Sequence, residues 1–165
     1  DEEMVPMDGK TVGEIVICGT PKSTCSYCNA PELTEKKFHN GWMYTGDLAS
    51  WDDKGYVRII GRKDDMIVSA GENIYPTQVE AILNEHPKVA ESLVLGIADP
   101  KRGKVVVALI KKADPSLTEQ EMKQFCLEHP MLSPYKRPRL YRFLEDLPHN
   151  ATGKLLHKMP EGVTF

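Results

Sequence analysis

The chain has 165 residues, 41% hydrophobic and 27% charged, with 21 Lys and Arg against 24 Asp and Glu. This is the composition of a soluble globular chain, long enough for one domain or two small ones. No apolar run approaches the roughly 20 residues of a membrane span, and the acidic opening Asp1-Glu2-Glu3-Met4 lacks the apolar stretch of a signal peptide.

In chain order, residues 13–19 read as a short strand, and Pro31 opens one or two helical turns that reach Phe38. Short β runs follow at residues 41–44, 48–51 and 56–60, separated by Asp- and Gly-containing turns such as Asp52-Asp53-Lys54-Gly55. The pattern changes after residues 61–65. A brief strand over Met66, Ile67 and Val68 leads to Gly71, and Pro76 opens a helix with Val79, Ile82 and Leu83 on one face. Residues 92–97 and 105–110 are strands rich in Val, Leu and Ile. Thr118 and Glu121 form a capping box, with Leu117 and Met122 as a hydrophobic staple, ahead of a helix that carries Phe125 and Cys126. Residues 140–144 read as a last strand. The expected class is α+β: a β-rich segment over 1–62 and a small α+β unit over 63–165.

Charge is unevenly spread: the net is −7 over residues 1–97, +5 over 98–142 and −1 over 143–165. A basic middle segment in an acidic chain points to a local anionic ligand and not to nucleic acid, which calls for a broadly basic surface. Cys25 and Cys28 make a lone CxxC without a second pair or a histidine motif, so reduced, structural cysteines and a cytoplasmic setting are expected, with no metal site.

Three segments carry chemistry. In Tyr44-Thr45-Gly46-Asp47, glycine permits a tight backbone and the ionised Asp47 can accept hydrogen bonds from two vicinal hydroxyls such as those of ribose; an ordinary β-turn capped by Asp fits the same residues. Residues 61–76 begin with adjacent opposite charges at the change of pattern and run through a strand and a Gly turn into a helix. That suits a hinge that presents backbone groups to a ligand, and equally a charged connector. In Pro148-His149-Asn150-Ala151-Thr152-Gly153-Lys154 a loop ends on a mobile cation suited to oxyanions. The GxxxxGK[ST] spacing of a phosphate loop is absent, and alone Lys154 reads as a solvated surface lysine.

In this order, the three segments resemble the C-terminal part of the adenylate-forming superfamily, which includes acyl- and aryl-CoA synthetases, peptide-synthetase adenylation domains and luciferases. The resemblance runs from about Gly13 to about Lys158. It implies that Asp47 and Arg62 bind the ribose of ATP or AMP, that Asp64 is the hinge, and that Lys154 meets the reacting carboxylate and α-phosphate. Residues 1–62 are then the end of the large N-terminal domain, and 63–165 a mobile lid. The lid rotates to withdraw the lysine and to bring Gly71, Glu72 and Asn73 toward the pantetheine channel. Ser69 to Pro76 is similar to the CoA-ligase branch. Arg102, Tyr135, Arg137 and Arg139 are accordingly candidates for gripping the phosphates and adenine of CoA, although a solvated basic face reads the same way.

The implied activity is an ATP-dependent acid–CoA ligase that forms an acyl-adenylate, transfers the acyl group to CoA and releases AMP. A domain that loads a carrier protein and a non-catalytic fragment that binds CoA or a partner remain alternatives. The superfamily's phosphate-gripping loop, magnesium-associated motif and acyl pocket precede the matched region. This chain alone is therefore expected not to complete the reaction, and the acid stays unassigned among aryl, medium-chain and long-chain types. Ala70 stands where many CoA ligases have glycine, Arg102 where some aryl-CoA ligases have tryptophan, and His157 where arginine is frequent. Pro160 ends any helix early, which leaves the tail beyond it unassigned.

Overall fold

A computed structural model describes residues 3–19 and 26–165. The chain divides into two compact units, Asp1–Asp64 and Asp65–Phe165, and its class is α+β.

The first unit contains β1 (Gly13–Cys18), α1 (Pro31–Lys37), β2 (Phe38–His39), β3 (Trp42–Trp51) and β4 (Val57–Arg62). Strand β3 is the spine. β1 runs antiparallel along one edge, while β2 and β4 share the other edge at successive stretches. Where the sequence suggests two short strands flanking a turn at Thr45-Gly46-Asp47, the chain forms a single strand of 10 residues. Gly46 takes φ +80° and the register with β1 shifts across this stretch, so the segment is a bulge inside a strand. α1 starts with proline at its first turn, where a missing N–H costs nothing.

The second unit contains β5 (Ile67–Ser69), β6 (Glu72–Ile74), α2 (Pro76–Leu83), β7 (Val89–Asp99), β8 (Gly103–Lys112), α3 (Glu119–Glu128) and β9 (Leu140–Leu144). β5 and β6 are joined by Ala70 and Gly71, both with positive φ, +50° and +86°, which is the turn whose twist suits a two-residue hairpin. β8 lies between β7, antiparallel, and β9, parallel. Its run Val105–Ile110 is buried throughout because both faces of this sheet are covered. Val106, Ala108 and Ile110 face a core shared with Ile67, Ile74, Val79, Leu83, Met122 and Cys126. The alternate residues Val105, Val107 and Leu109 join Leu93, Leu95 and Leu147, and Leu155, Met159, Val163 and Phe165 pack on them. The tail after Pro160, which has no helical signal, is thus an apolar cover for the second face. Thr118 Oγ1 accepts the Glu121 N–H as the capping box requires, but the Glu121 carboxylate turns to Lys88, 2.9 Å away, and not back to Thr118.

Candidate functional site

In the first unit the bulge at Gly46 aims Asp47 across to the neighbouring strand. Asp47 pairs with Arg62 in register, and Arg62 Nη1 donates to Asp47 Oδ1 at 2.7 Å and to the Thr45 carbonyl at 3.0 Å. Each side chain keeps 39% exposure, so the pair is open to a ligand from solvent. The bulge is held from behind. The Gly46 N–H donates to Glu14 Oε1 at 2.9 Å, the Thr45 hydroxyl donates to the Ile15 carbonyl at 2.7 Å, and the Lys63 N–H donates to the Gly46 carbonyl at 2.8 Å. A Cβ on Gly46 would stand 2.9 Å from Arg62 Nη2 and 2.9 Å from Lys37 Nζ. Glycine is therefore favoured here by its φ, while the two cations are the ends of flexible side chains that can give way.

Sequence reasoning misses Glu14. Burial pushes its carboxyl up, but the hydrogen bonds from Lys63 and Gly46 and the charges of Lys63 and Lys37 outweigh that, so it lies below its ordinary value. It also pairs with Lys63 at 2.8 Å. Its nearest signal is an acidic residue in an otherwise apolar strand, thirty-odd positions before its partner. Asp64 is exposed and is the last residue of the first unit.

In the second unit the lysine loop closes on itself. Asn150 Oδ1 accepts from the Thr152 N–H at 3.0 Å, the Thr152 hydroxyl at 2.7 Å and the Lys154 N–H at 2.9 Å. The Asn150 N–H donates to the Lys154 carbonyl at 2.9 Å, and the Leu156 N–H donates to the Pro148 carbonyl at 2.8 Å. Lys154 itself is exposed, and its ammonium has no hydrogen-bond or ion-pair partner among the described residues.

Gly71 on the β5–β6 turn and Glu72 and Asn73 at the start of β6 are exposed. The Ala70 N–H donates to the Arg102 carbonyl at 2.9 Å, which brings this turn against the β7–β8 turn that carries Arg102. The Arg139 N–H donates to the Val106 carbonyl, just before β9 enters parallel to β8. Arg102 and Arg139 therefore belong to the same end of the sheet, and both are exposed, as is Tyr135. Arg137 is engaged differently. Its guanidinium donates to the Leu132 carbonyl at 3.1 Å and the Leu127 carbonyl at 3.2 Å, fastening the segment that follows α3. Cys18 and Cys28 are exposed and Cys126 is buried; Cys25, the other half of the CxxC, lies outside the described residues.

Residues 78–154 match the family described as the AMP-binding enzyme C-terminal domain. A 2-succinylbenzoate–CoA ligase of Bacillus cereus is 42% identical over 158 residues, covering 96% of this chain and 32% of the relative. Both matches agree with the resemblance of the three segments to the adenylate-forming superfamily. Among solved structures of superfamily members, o-succinylbenzoate CoA synthetase from Bacillus subtilis in complex with the acyl-adenylate intermediate OSB-AMP is 41% identical, with TM-score 0.80 over 90% of this chain and 30% of that one. A double mutant of the same enzyme bound with its product analogue OSB-NCoA is 42% identical, with TM-score 0.56 over 90% of this chain and 30% of that one. The chain spans about a third of the length of the curated superfamily relatives it matches.

Proposed function

We propose that this chain carries the ribose-binding strand and the lysine-bearing lid of an ATP-dependent, AMP-forming acid–CoA ligase. The observation that carries the reading is the self-closed loop at residues 148–156, which presents an ammonium without a partner among the described residues where the family match ends, at Lys154. Residues 1–62 are read as the end of the large domain, residues 63–165 as the lid and Asp64 as its hinge.

Asp47 accepts the two ribose hydroxyls of ATP, with Arg62 holding its carboxylate in place. The carboxylate of the acid attacks the α-phosphorus, an O–P bond forms, and the bond to the departing pyrophosphate breaks. This step presses two anions together, and the Lys154 ammonium offsets the charge that builds there. Rotation about the hinge then removes Lys154 and brings Gly71, Glu72 and Asn73 to the channel through which the CoA thiol reaches the acyl carbon, with AMP as leaving group. Arg102, Tyr135 and Arg139 take the nucleotide end of CoA, and Arg137 adds charge while it holds the loop. The names of the relatives point to an aryl acid of the 2-succinylbenzoate type as the first substrate to test. Magnesium is assigned to the phosphates of ATP. The described residues offer no group of three or more His, Cys, Asp or Glu side chains able to hold a metal.

In the intact ligase, Lys154→Ala is expected to slow ATP–pyrophosphate exchange by about 10²- to 10³-fold and to spare thioester formation from supplied acyl-adenylate. Equal losses in the two half-reactions overturn the assignment.

A further inference from the structure

The lysine loop is rigid within itself, yet its internal hydrogen bonds do not say where it stands. Two polar ties reach from its ends to other elements, and both are made by histidine. His149 Nε2 lies 2.9 Å from Glu91 Oε1 on β7, and His157 Nε2 lies 2.8 Å from Glu80 Oε1 on α2. These partners are 58 and 77 residues away along the chain.

The two carboxylates are fixed points. Glu80 is buried and its Oε1 accepts the Val94 N–H at 2.8 Å, so it cannot move without uncovering a strand amide. Glu91 sits in β7, paired with Lys111 of β8.

The geometry also selects the charged form of the His149 ring and places two carboxylates beside the His157 ring. His149 Nδ1 is 2.8 Å from the Leu147 carbonyl while Nε2 faces a carboxylate. Both neighbours are acceptors, and a neutral imidazole has one N–H, so only the imidazolium satisfies both. His157 has Glu80 at one nitrogen and Asp65 Oδ2 at 3.7 Å from the other.

We propose that His149 and His157 are positioning residues for Lys154, two imidazolium–carboxylate clasps that hold the ends of the lysine loop on β7 and α2. The proposal rests on the role given to Lys154 above and adds how that lysine is held.

The groups that face each ring give the expected sense of pH dependence. For His157, the hydrogen bond to Glu80 raises its pKa above 6.5. Partial burial opposes that, the charges of Glu80 and Asp65 assist it, and the charge of Lys154 opposes it. For His149, the hydrogen bond to Glu91 does the same. Desolvation opposes it, while the Leu147 carbonyl and the charges of Glu91 and Asp146 assist. The clasps are therefore complete below pH 6.5 and open as the pH rises through the elevated values. Adenylation should weaken with them on the alkaline side, and the thioester step, which does not use Lys154, should not.

The test uses two preparations. In the intact ligase, adenylation and thioester formation from supplied acyl-adenylate are measured from pH 6.5 upward for the wild type, His157→Gln, His149→Gln and His157→Arg. His157→Gln is expected to lower the adenylation kcat by about 10- to 100-fold, as a misplaced catalytic group does, with the KM for ATP and the thioester step unchanged. His157→Arg, which stays charged, is expected to restore adenylation and remove part of the alkaline fall. In the 165-residue chain, NMR should show the Gly153 and Lys154 amide signals moving with the same midpoints as the two imidazoles. Wild-type adenylation rates and pH profiles in both glutamine variants overturn the proposal, as do loop amides that stay still through the imidazole titrations. Failure of His157→Arg to rescue a folded protein, checked by circular dichroism, also counts against it. If Lys154→Ala leaves adenylation intact, the role of Lys154 falls, while the amide titration still reports on the clasps.

Discussion

The sheet built on β3 and the sheet built on β8 have spines of equal length but different cover. Both faces of β8 are buried, each against its own cluster of apolar side chains. In the first unit the buried apolar side chains among the described residues are Leu48, Ala49 and Ile60. Val57 and Ile59 share a face of β4 at 56% and 60% exposure, beside Tyr56 at 73%. The residue types are those of core strands in both sheets, so hydrophobic pattern alone does not tell a strand with a core from a strand that still lacks one. The functional groups divide along the same line. The first unit offers a carboxylate braced by a guanidinium, and the second offers a loose ammonium and a basic sheet end.

Substitutions should affect the two sheets unequally. Ile110→Ala removes a side chain buried between sheet and helices and should cost about 2–5 kcal/mol in urea unfolding, whereas Ile59→Ala should stay within about 0.5 kcal/mol; equal costs would erase the distinction. Asp47→Ala removes a charged hydrogen-bond acceptor worth about 1.5–3 kcal/mol. It should raise the KM for ATP of the intact ligase by about 10- to 100-fold and leave the KM for CoA unchanged. The reciprocal change is the pair Arg102→Ala and Arg139→Ala, expected to raise the KM for CoA by about fivefold each, the equivalent of about 1 kcal/mol, with ATP–pyrophosphate exchange intact. Ala70→Gly relieves a left-handed alanine and should stabilise the second unit by about 0.5–1 kcal/mol in the same urea experiment.

The pH response should separate the two units as well. His149 and His157 are raised by their glutamates, so the second unit loses stability as the pH climbs above 6.5. In the first unit, Glu14 is lowered, so its contribution is present at neutral pH and lost as the pH falls through that depressed value. Unfolding midpoints followed by Trp42 and Trp51 fluorescence for the first unit, and by Tyr141 NMR signals for the second, would report the two trends separately.

Local signals in the sequence carried furthest where a structure is made by residues within one turn of each other. Pro31 and Pro76 open helices, and Thr118 caps one through the N–H three residues on. The strands over 105–110 and 140–144 fall inside observed strands because the first is a run of apolar, mostly branched side chains and the second sets Tyr141 and Phe143 among leucines. What stayed hidden depends on distant register. Glu14 meets Gly46 only because β1 pairs with β3, and Thr45-Gly46-Asp47 is a bulge and not a turn because strands on both sides hold it. The inward task of Arg137 needs two carbonyls left free after α3, and the packing of Met159, Val163 and Phe165 needs a sheet face that local sequence cannot display. Of the candidate site, the residues were legible as motifs, but the His149 and His157 ties were not, since their partners lie on elements far earlier in the chain.

The parallel seating of β9 against β8 also sets an order of assembly. β7 and β8 meet through a short turn and can pair within about 1–10 μs, the time of a hairpin. β9 arrives only after residues 113–139 have looped back across the sheet, a slower closure that carries a larger entropic cost. Lys154 lies beyond that strand. On a ribosome that emits the chain from its N-terminus, the Asp47 bulge and the β7–β8 hairpin are complete before the lysine loop has a strand to hang from. The lysine loop is thus the last of these features to find its place as the chain is made, after every strand it packs beside.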